Sequence, residues 1–371
     1  MNVYVALCYY KMDFFDVSQE VLQVYLDENP DSAIACNLKA CNFYRLFSAK
    51  HAEQELRRIS EISSPHYRYC RELINHNLCV FKNGEGAQQI LPPLVGIVPE
   101  ALTNLAVYYL KNDEIEEAYN LVKDIEPQTP SEYSIKGTVF AMYGQRKNNK
   151  DFVRQAQQYF QVVGASSTEC DTIPGRQAMA SCFFLLKQFN DVLIYLNSIK
   201  MYFKDNDDFN YNYGQAKAAI GKWVEAEDAL VRVQSEIIKN EYVYLNTLMK
   251  AFIKNGKGRK AFELYMKLDA AHPNTFDLLQ LLANDCYRSG QFLYAAKAFD
   301  VLERLEPSEE LWNGKCGACI GIFQSVIAEQ CDKDDLVECL MLLRNSDNPQ
   351  AEYVTQVITM WAEESGLIPS G

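Results

Sequence analysis

No run of about 18 apolar residues, the length a membrane-crossing helix needs, occurs anywhere in this 371-residue chain. Membrane insertion is therefore not expected. The opening stretch MNVYVALCYYKMDFF has neither the basic start nor the small-residue cleavage site of a secretory leader. A cytosolic protein is expected. Positive charge is also short: 36 Lys and Arg against 49 Asp and Glu leave a formal net charge of −13. A phosphate backbone would be repelled on average, so nucleic acid is not an expected ligand.

Histidine is scarce. The four (His51, His66, His76 and His272) are dispersed, and the nearest approach to a ligand pair, His76 with Cys79, lacks the further donors of a tetrahedral site. The twelve cysteines lie mostly in apolar helical stretches without disulfide-framework spacing, as at Cys8, Cys36, Cys41, Cys182 and Cys286. Buried thiols are expected. The one CxxC, Cys316 to Cys319, has no second pair to complete a metal site. No G-x-x-x-x-G-K-[ST] phosphate loop occurs, since Gly256-Lys257-Gly258 stands alone, and no G-x-S-x-G nucleophile elbow. Asp207 and Asp208 sit in the polar run KDNDD between helices and are not expected to form an acid–base pair. No catalytic residue, cofactor or metal is expected.

What is present is a folded composition, 48% hydrophobic and 23% charged, with an internal period. Ala283, Cys286, Ala295, Phe299, Leu302 and Pro307 occupy positions 8, 11, 20, 24, 27 and 32 of a tetratricopeptide unit, a helix pair of about 34 residues. Phe252, Ala261, Tyr265, Leu268 and Pro273 hold corresponding places one unit earlier. Position 20 recurs as Ser18, Ala52, Ala87, Ala118, Ala156, Val192, Ala226, Ala261 and Ala295, at intervals of 34, 35, 31, 38, 36, 34, 35 and 34. Position 8 is small at Ala6, Ala40, Ala106, Gly137, Ala180 and Gly214, which lets two helices cross closely. Pro30, Pro99, Pro130, Pro273 and Pro307 mark unit ends, where proline stops one helix and starts the next.

The expected fold is all-α: a right-handed superhelical solenoid of about nine such pairs over residues 1–307, with a degenerate repeat and capping helices over 308–371. Two irregular stretches, Gly144 to Asp151 and Gly164 to Gly175, are expected to be loops. The C-terminal region is acidic, with nine acidic and two basic residues from Glu329 to Glu364. At the other end, Met1 opens inside a first helix with no polar cap before it, so the array is expected to continue upstream. If a peptide or partner helix lies in the groove of first helices, Asn246, Lys250, Lys254, Asn284, Tyr287 and Arg288 are the candidate contacts, suited to acidic or amide groups. A chaperone-tail clamp needs Lys at position 5 and Asn at position 9 of one unit to hold a terminal carboxylate. No unit has both, the last two reading Asn246/Lys250 and Gln280/Asn284. A co-chaperone is the alternative reading, and the missing clamp counts against it.

Three stretches go beyond a generic repeat: NVYVALCYYKMDFFDVSQEVLQVYL at 2–26, ECDTIPGRQAMASCFFLLKQFNDVLIYLNSIK at 169–200 and LLQLLANDCYRSGQFLYAAKAFDVLERLEP at 278–307. With these, nearly the whole chain resembles the tetratricopeptide subunit family of intraflagellar transport complex B. The resemblance implies a non-enzymatic scaffold of the cytoplasm and cilium, at axoneme and basal body. It implies docking to other complex B subunits, among them a forty-six-kilodalton-class neighbour, transport of motility-related cargo, and support of cilium assembly and motility. Members of the family also carry additional upstream repeats.

Overall fold

The computed structural model describes residues 2–60, 68–269, 272–346 and 348–365. Among them every regular element is helical, with no strand. The chain divides into two compact units, 1–186 and 187–371. In the first, α1 (Asn2–Lys11) is followed by α2 (Phe15–Glu28), α3 (Ala33–Leu46) by α4 (Ala49–Ser60), and α5 (Arg68–Phe81) by the single turn α6 (Ala87–Ile90). Then α7 (Pro99–Lys111) precedes α8 (Ile115–Val122), α9 (Pro130–Arg146) precedes α10 (Lys150–Ala165), and α11 (Ile173–Leu185) ends the unit. The second unit starts with α12 (Phe189–Ile199). It continues through α13 (Asp207–Ala219), α14 (Trp223–Leu230), the short α15 (Glu236–Lys239), α16 (Tyr242–Lys254) and α17 (Gly258–Met266). It closes with α18 (Thr275–Arg288), α19 (Phe292–Leu305), α20 (Glu309–Ile327), α21 (Lys333–Arg344) and α22 (Pro349–Glu364).

The residues chosen by the period are those the packing encloses. All nine position-20 residues from Ser18 to Ala295 are buried. At the first crossing, Ser18 donates a 2.8 Å hydrogen bond to the Ala6 carbonyl on the facing helix. Position 8 thus meets position 20 at van der Waals range, and the buried hydroxyl is satisfied. Six of the nine pairs turn in the same way. Five residues before the marker, Asp13, Asp113, Lys187, Gly221, Gly256 and Gly290 all take a left-handed φ, which glycine adopts freely and aspartate tolerates. Pro99 and Pro130 are the first residues of α7 and α9, where a missing amide donor costs nothing. Before Pro130, Thr129 and Glu132 form a reciprocal capping box.

Two expectations are corrected. The stretch from Gly144 to Asp151 is not a long loop: α9 runs to Arg146 and α10 begins at Lys150, so only three residues turn. The extra length lies in the helices, because Gly144 fits against Phe152, Asn149 and Val153 and the Tyr119 and Tyr143 rings stack at 4.0 Å. The unit marked by Ala87 lacks a full second helix. Pro92 and Pro93 interrupt it after Ile90, leaving a 3-10 turn over Pro92–Leu94. The other irregular stretch is a loop in its central seven residues, Ser166 to Thr172, while its ends belong to α10 and α11.

Candidate partner-binding surface

The six candidate residues lie on α16 and α18, first helices of successive pairs that pack against each other. On α16 the apolar face of Leu245, Leu248, Met249, Phe252 and Ile253 is buried, which leaves Asn246, Lys250 and Lys254 on the other side at spacings of four. On α18, Leu278, Leu279, Leu282, Ala283 and Cys286 are buried, leaving Asn284, Tyr287 and Arg288 outside. Residues four apart in a helix are neighbours, so each set forms one stripe.

Local bonds orient part of each stripe. Asn246 donates to the Tyr242 hydroxyl at 3.0 Å, and Asn284 donates to the Gln280 carbonyl at 2.9 Å. The Tyr287 ring meets Phe292 edge-on at 5.6 Å and Phe299 at 6.5 Å, and its hydroxyl end packs beside Gly317 of α20. Among the described residues, half of the unit's cations other than Lys250, Lys254 and Arg288 are ion-paired and half are not, Lys187, Lys260 and Lys267 being among those without a pair. Lys217, Lys257, Lys297, Lys315, Arg259 and Arg304 each hold a carboxylate, whereas Lys250, Lys254 and Arg288 have no ion pair among the described residues. No acidic residue occurs in α16. The arrangement is a set of oriented amide groups beside cations without an ion pair on a helical support, able to receive carboxylates by charge-assisted hydrogen bonds.

Other polar residues, not singled out by the period, turn out to be structural. Lys315, 1% exposed, bonds Asp300 at 2.6 Å and Glu303 at 3.0 Å, linking α20 to α19. Lys136 is buried and donates to the carbonyls of Lys123 and Ile125, at the end of α8. Glu227 receives Lys257 at 2.7 Å and Asn255 at 2.6 Å. In the first unit Asn77 donates to Asn37 at 2.9 Å and bonds His76, whose other ring nitrogen meets Asn104 at 3.0 Å. This ladder ties α3, α5 and α7 together and occupies both nitrogens of His76. The one sequence signal was a charged or amide residue inside an otherwise apolar stripe, as in NGKCGACIGIF around Lys315.

The remaining candidates for chemistry have similar explanations. His51 meets Ser48 and His272 meets the Asn240 carbonyl, and His66 lies outside the described residues. Hydrogen bonding to Cys339 together with burial pushes the Cys319 thiol up, towards the protonated form. Among the described residues no group of three or more His, Cys, Asp or Glu could hold a metal ion, and no helix is long and apolar enough to cross a membrane.

Successive short helix pairs, small residues at each crossing and a repeated turn define a tetratricopeptide-type helical solenoid. Residues 1–369 match the family model described as Intraflagellar transport protein 56, and the chain belongs to that family. It is 34% identical to the Caenorhabditis elegans Intraflagellar transport protein 56 homolog, over 98% of this chain and 66% of that protein. The chain thus spans slightly less than two thirds of that relative's length. Among solved structures, one described as human IFIT1 dimer with PPP-AAAA is 15% identical, with 79% of this chain and 69% of that one covered and a TM-score of 0.49. A tetratricopeptide repeat protein from Parabacteroides merdae is 12% identical, with 70% and 98% covered and a TM-score of 0.37.

Proposed function

We propose that the chain is a non-enzymatic adaptor of the intraflagellar transport B complex. It docks other train subunits, including the forty-six-kilodalton-class neighbour, and supports ciliary transport of motility-related cargo, cilium assembly and motility. It works in the cytoplasm and cilium, at the axoneme and basal body. Residues 1–307 supply the repeat scaffold, and residues 308–371 act as its degenerate repeat and cap. Family membership supports the transport role, and the observation that carries the docking role is the stripe of unpaired cations and oriented polar groups on α16 and α18. Asn246, Lys250, Lys254, Asn284, Tyr287 and Arg288 receive an acidic or amide-rich segment of a partner subunit.

The test is co-purification from ciliated-cell extract with mass spectrometry, comparing the tagged chain with Lys250→Glu/Arg288→Glu. We expect complex B subunits with the unmodified chain and at least about tenfold less with the variant, the equivalent of about 1.4 kcal/mol. Equal recovery would remove α16 and α18 as the docking surface. Capture of chaperones without transport subunits would instead favour the co-chaperone reading.

A further inference from the structure

The last helix, α22, carries an apolar stripe that faces away from its own core. Ala351, Thr355, Ile358 and Ala362 form its buried side, whereas Tyr353, Val357 and Met360 are 71%, 48% and 62% exposed. At 100° per residue these three fall on one stripe, roughly opposite the buried four. Single exposed apolar residues are ordinary on a protein surface; these three, in register on one helix, form a continuous exposed apolar stripe.

Charge defines what covers it. Helix α22 contains Glu352, Glu363 and Glu364 and not one Lys or Arg. At the start of α21, Asp335 and Glu338 face α19 instead, where Glu338 pairs with Lys297 at 2.7 Å. Beside the stripe lies a groove of about 590 Å³ whose walls include Leu343, Arg344, Glu352, Thr355 and Met360. Met360 belongs to both groove and stripe. The Thr355 hydroxyl is buried and has no hydrogen-bond partner among the described residues, a state that folded proteins rarely leave uncompensated.

We propose that the outer face of α22 docks an amphipathic helix of a partner protein, one whose apolar anchors are bordered by lysine or arginine. The anchors cover Tyr353, Val357 and Met360, and the bordering cations meet Glu352 and Glu364. This is the helix-in-groove mode of recognition, with charge choosing among amphipathic helices. The proposal rests on the reading of the chain as a docking scaffold but uses a different surface from α16 and α18, so the two fail separately.

The experiment is fluorescence anisotropy of the full chain with labelled synthetic amphipathic peptides: leucines at i, i+3, i+4 and i+7, bordered by lysines in one and by glutamates in the other. We expect the lysine-bordered peptide to bind in preference. Tyr353→Asp/Val357→Asp should weaken it at least about tenfold, and Glu352→Lys/Glu364→Lys should reverse the preference. Glu20→Lys/Glu28→Lys, the same charge change at exposed positions of α2, should leave the preference unchanged. If the apolar double variant loses helicity by circular dichroism, the charge-reversal pair, which leaves the stripe intact, carries the test alone. Equal binding of a scrambled peptide of the same composition would overturn the proposal, as would indifference to the α22 substitutions. Sedimentation as a dimer that Val357→Asp dissociates would also overturn it, by showing that a second copy covers this face.

Discussion

Lys217 has its side chain almost wholly enclosed in α13, with its ammonium 2.6 Å from the half-exposed Glu225 carboxylate on α14 and over the Tyr213 ring at 5.1 Å. Burial pulls the Lys217 pKa down, and hydrogen bonds to Glu225 and Tyr213 more than offset that, so it stands above the ordinary lysine value. The hydrogen bond from Lys217 holds the Glu225 carboxyl below its ordinary value, against a smaller upward push from burial. The two shifts give opposite pH limits. Glu225 contributes stability that is fully present above the unfolded carboxylate pKa of about 4.3 and is lost as pH falls through the folded value. The Lys217 contribution is fully present below about pH 10.4 and is lost as pH rises through its folded value. Glu225→Gln should therefore lower stability by about 1 kcal/mol at neutral pH, a small figure because water screens the exposed partner. Urea unfolding at several pH values should show the gap between wild type and variant closing as pH falls below about 4. A gap independent of pH would mean that the pair contributes no charge-dependent stability.

Helix crossings depend on one small residue each, and of the two glycines the period identified Gly214 in α13 is more tightly packed than Gly137. A Cβ there would lie 2.6 Å and 2.8 Å from side-chain carbons of the buried Leu230, with the Ala226 carbonyl at 3.4 Å. Alanine gains about 1 kcal/mol in helix propensity over glycine, but overpacking costs about 1–3 kcal/mol. Gly214→Ala should thus be neutral to destabilising by up to about 2 kcal/mol, in contrast to the gain expected of an unconstrained helical glycine. Thermal unfolding that shows a higher midpoint would mean that α13 and α14 separate more easily than their packing suggests. This element was legible because a small residue at position 8 or 20 is a steric requirement that recurs along the array. The α9–α10 turn was misread because Gly144, a helix breaker by propensity, is held in the helix by its fit to Phe152 and Val153. The truncated α6 was open to reading from Pro92-Pro93, and the alanine register hid it. Partnerships such as Lys315 with Asp300 and Glu303 were not legible, because they join residues on different helices whose rotation the period alone does not supply. The stripes on α16 and α18 were visible as polar positions, but the lack of carboxylate partners for Lys250, Lys254 and Arg288 is a fact of three dimensions.

In a repeat array stability is a sum of local terms and contacts between neighbours, so damage should spread along the core it touches. In the second unit one continuous core includes Leu230, Leu245, Leu282, Phe299, Trp312, Ile322, Leu336 and Ile358. Helices α20 to α22 therefore share apolar packing with α16 to α19. In the first unit separate clusters run from Ala6 to Phe81 and from Ala106 to Cys182. Leu282, fully buried in α18, lies in the middle of the longer core, and Leu282→Ala should cost about 2–5 kcal/mol. Hydrogen exchange followed by mass spectrometry should show lost protection through α16 to α22, with α1 to α4 near their wild-type rates. That pattern would mean that the docking surfaces on α16, α18 and α22 depend on one cooperative block. Equal loss of protection in α1 to α4 would mean that the whole chain unfolds as a unit, so that a core lesion at any point would remove every docking surface together.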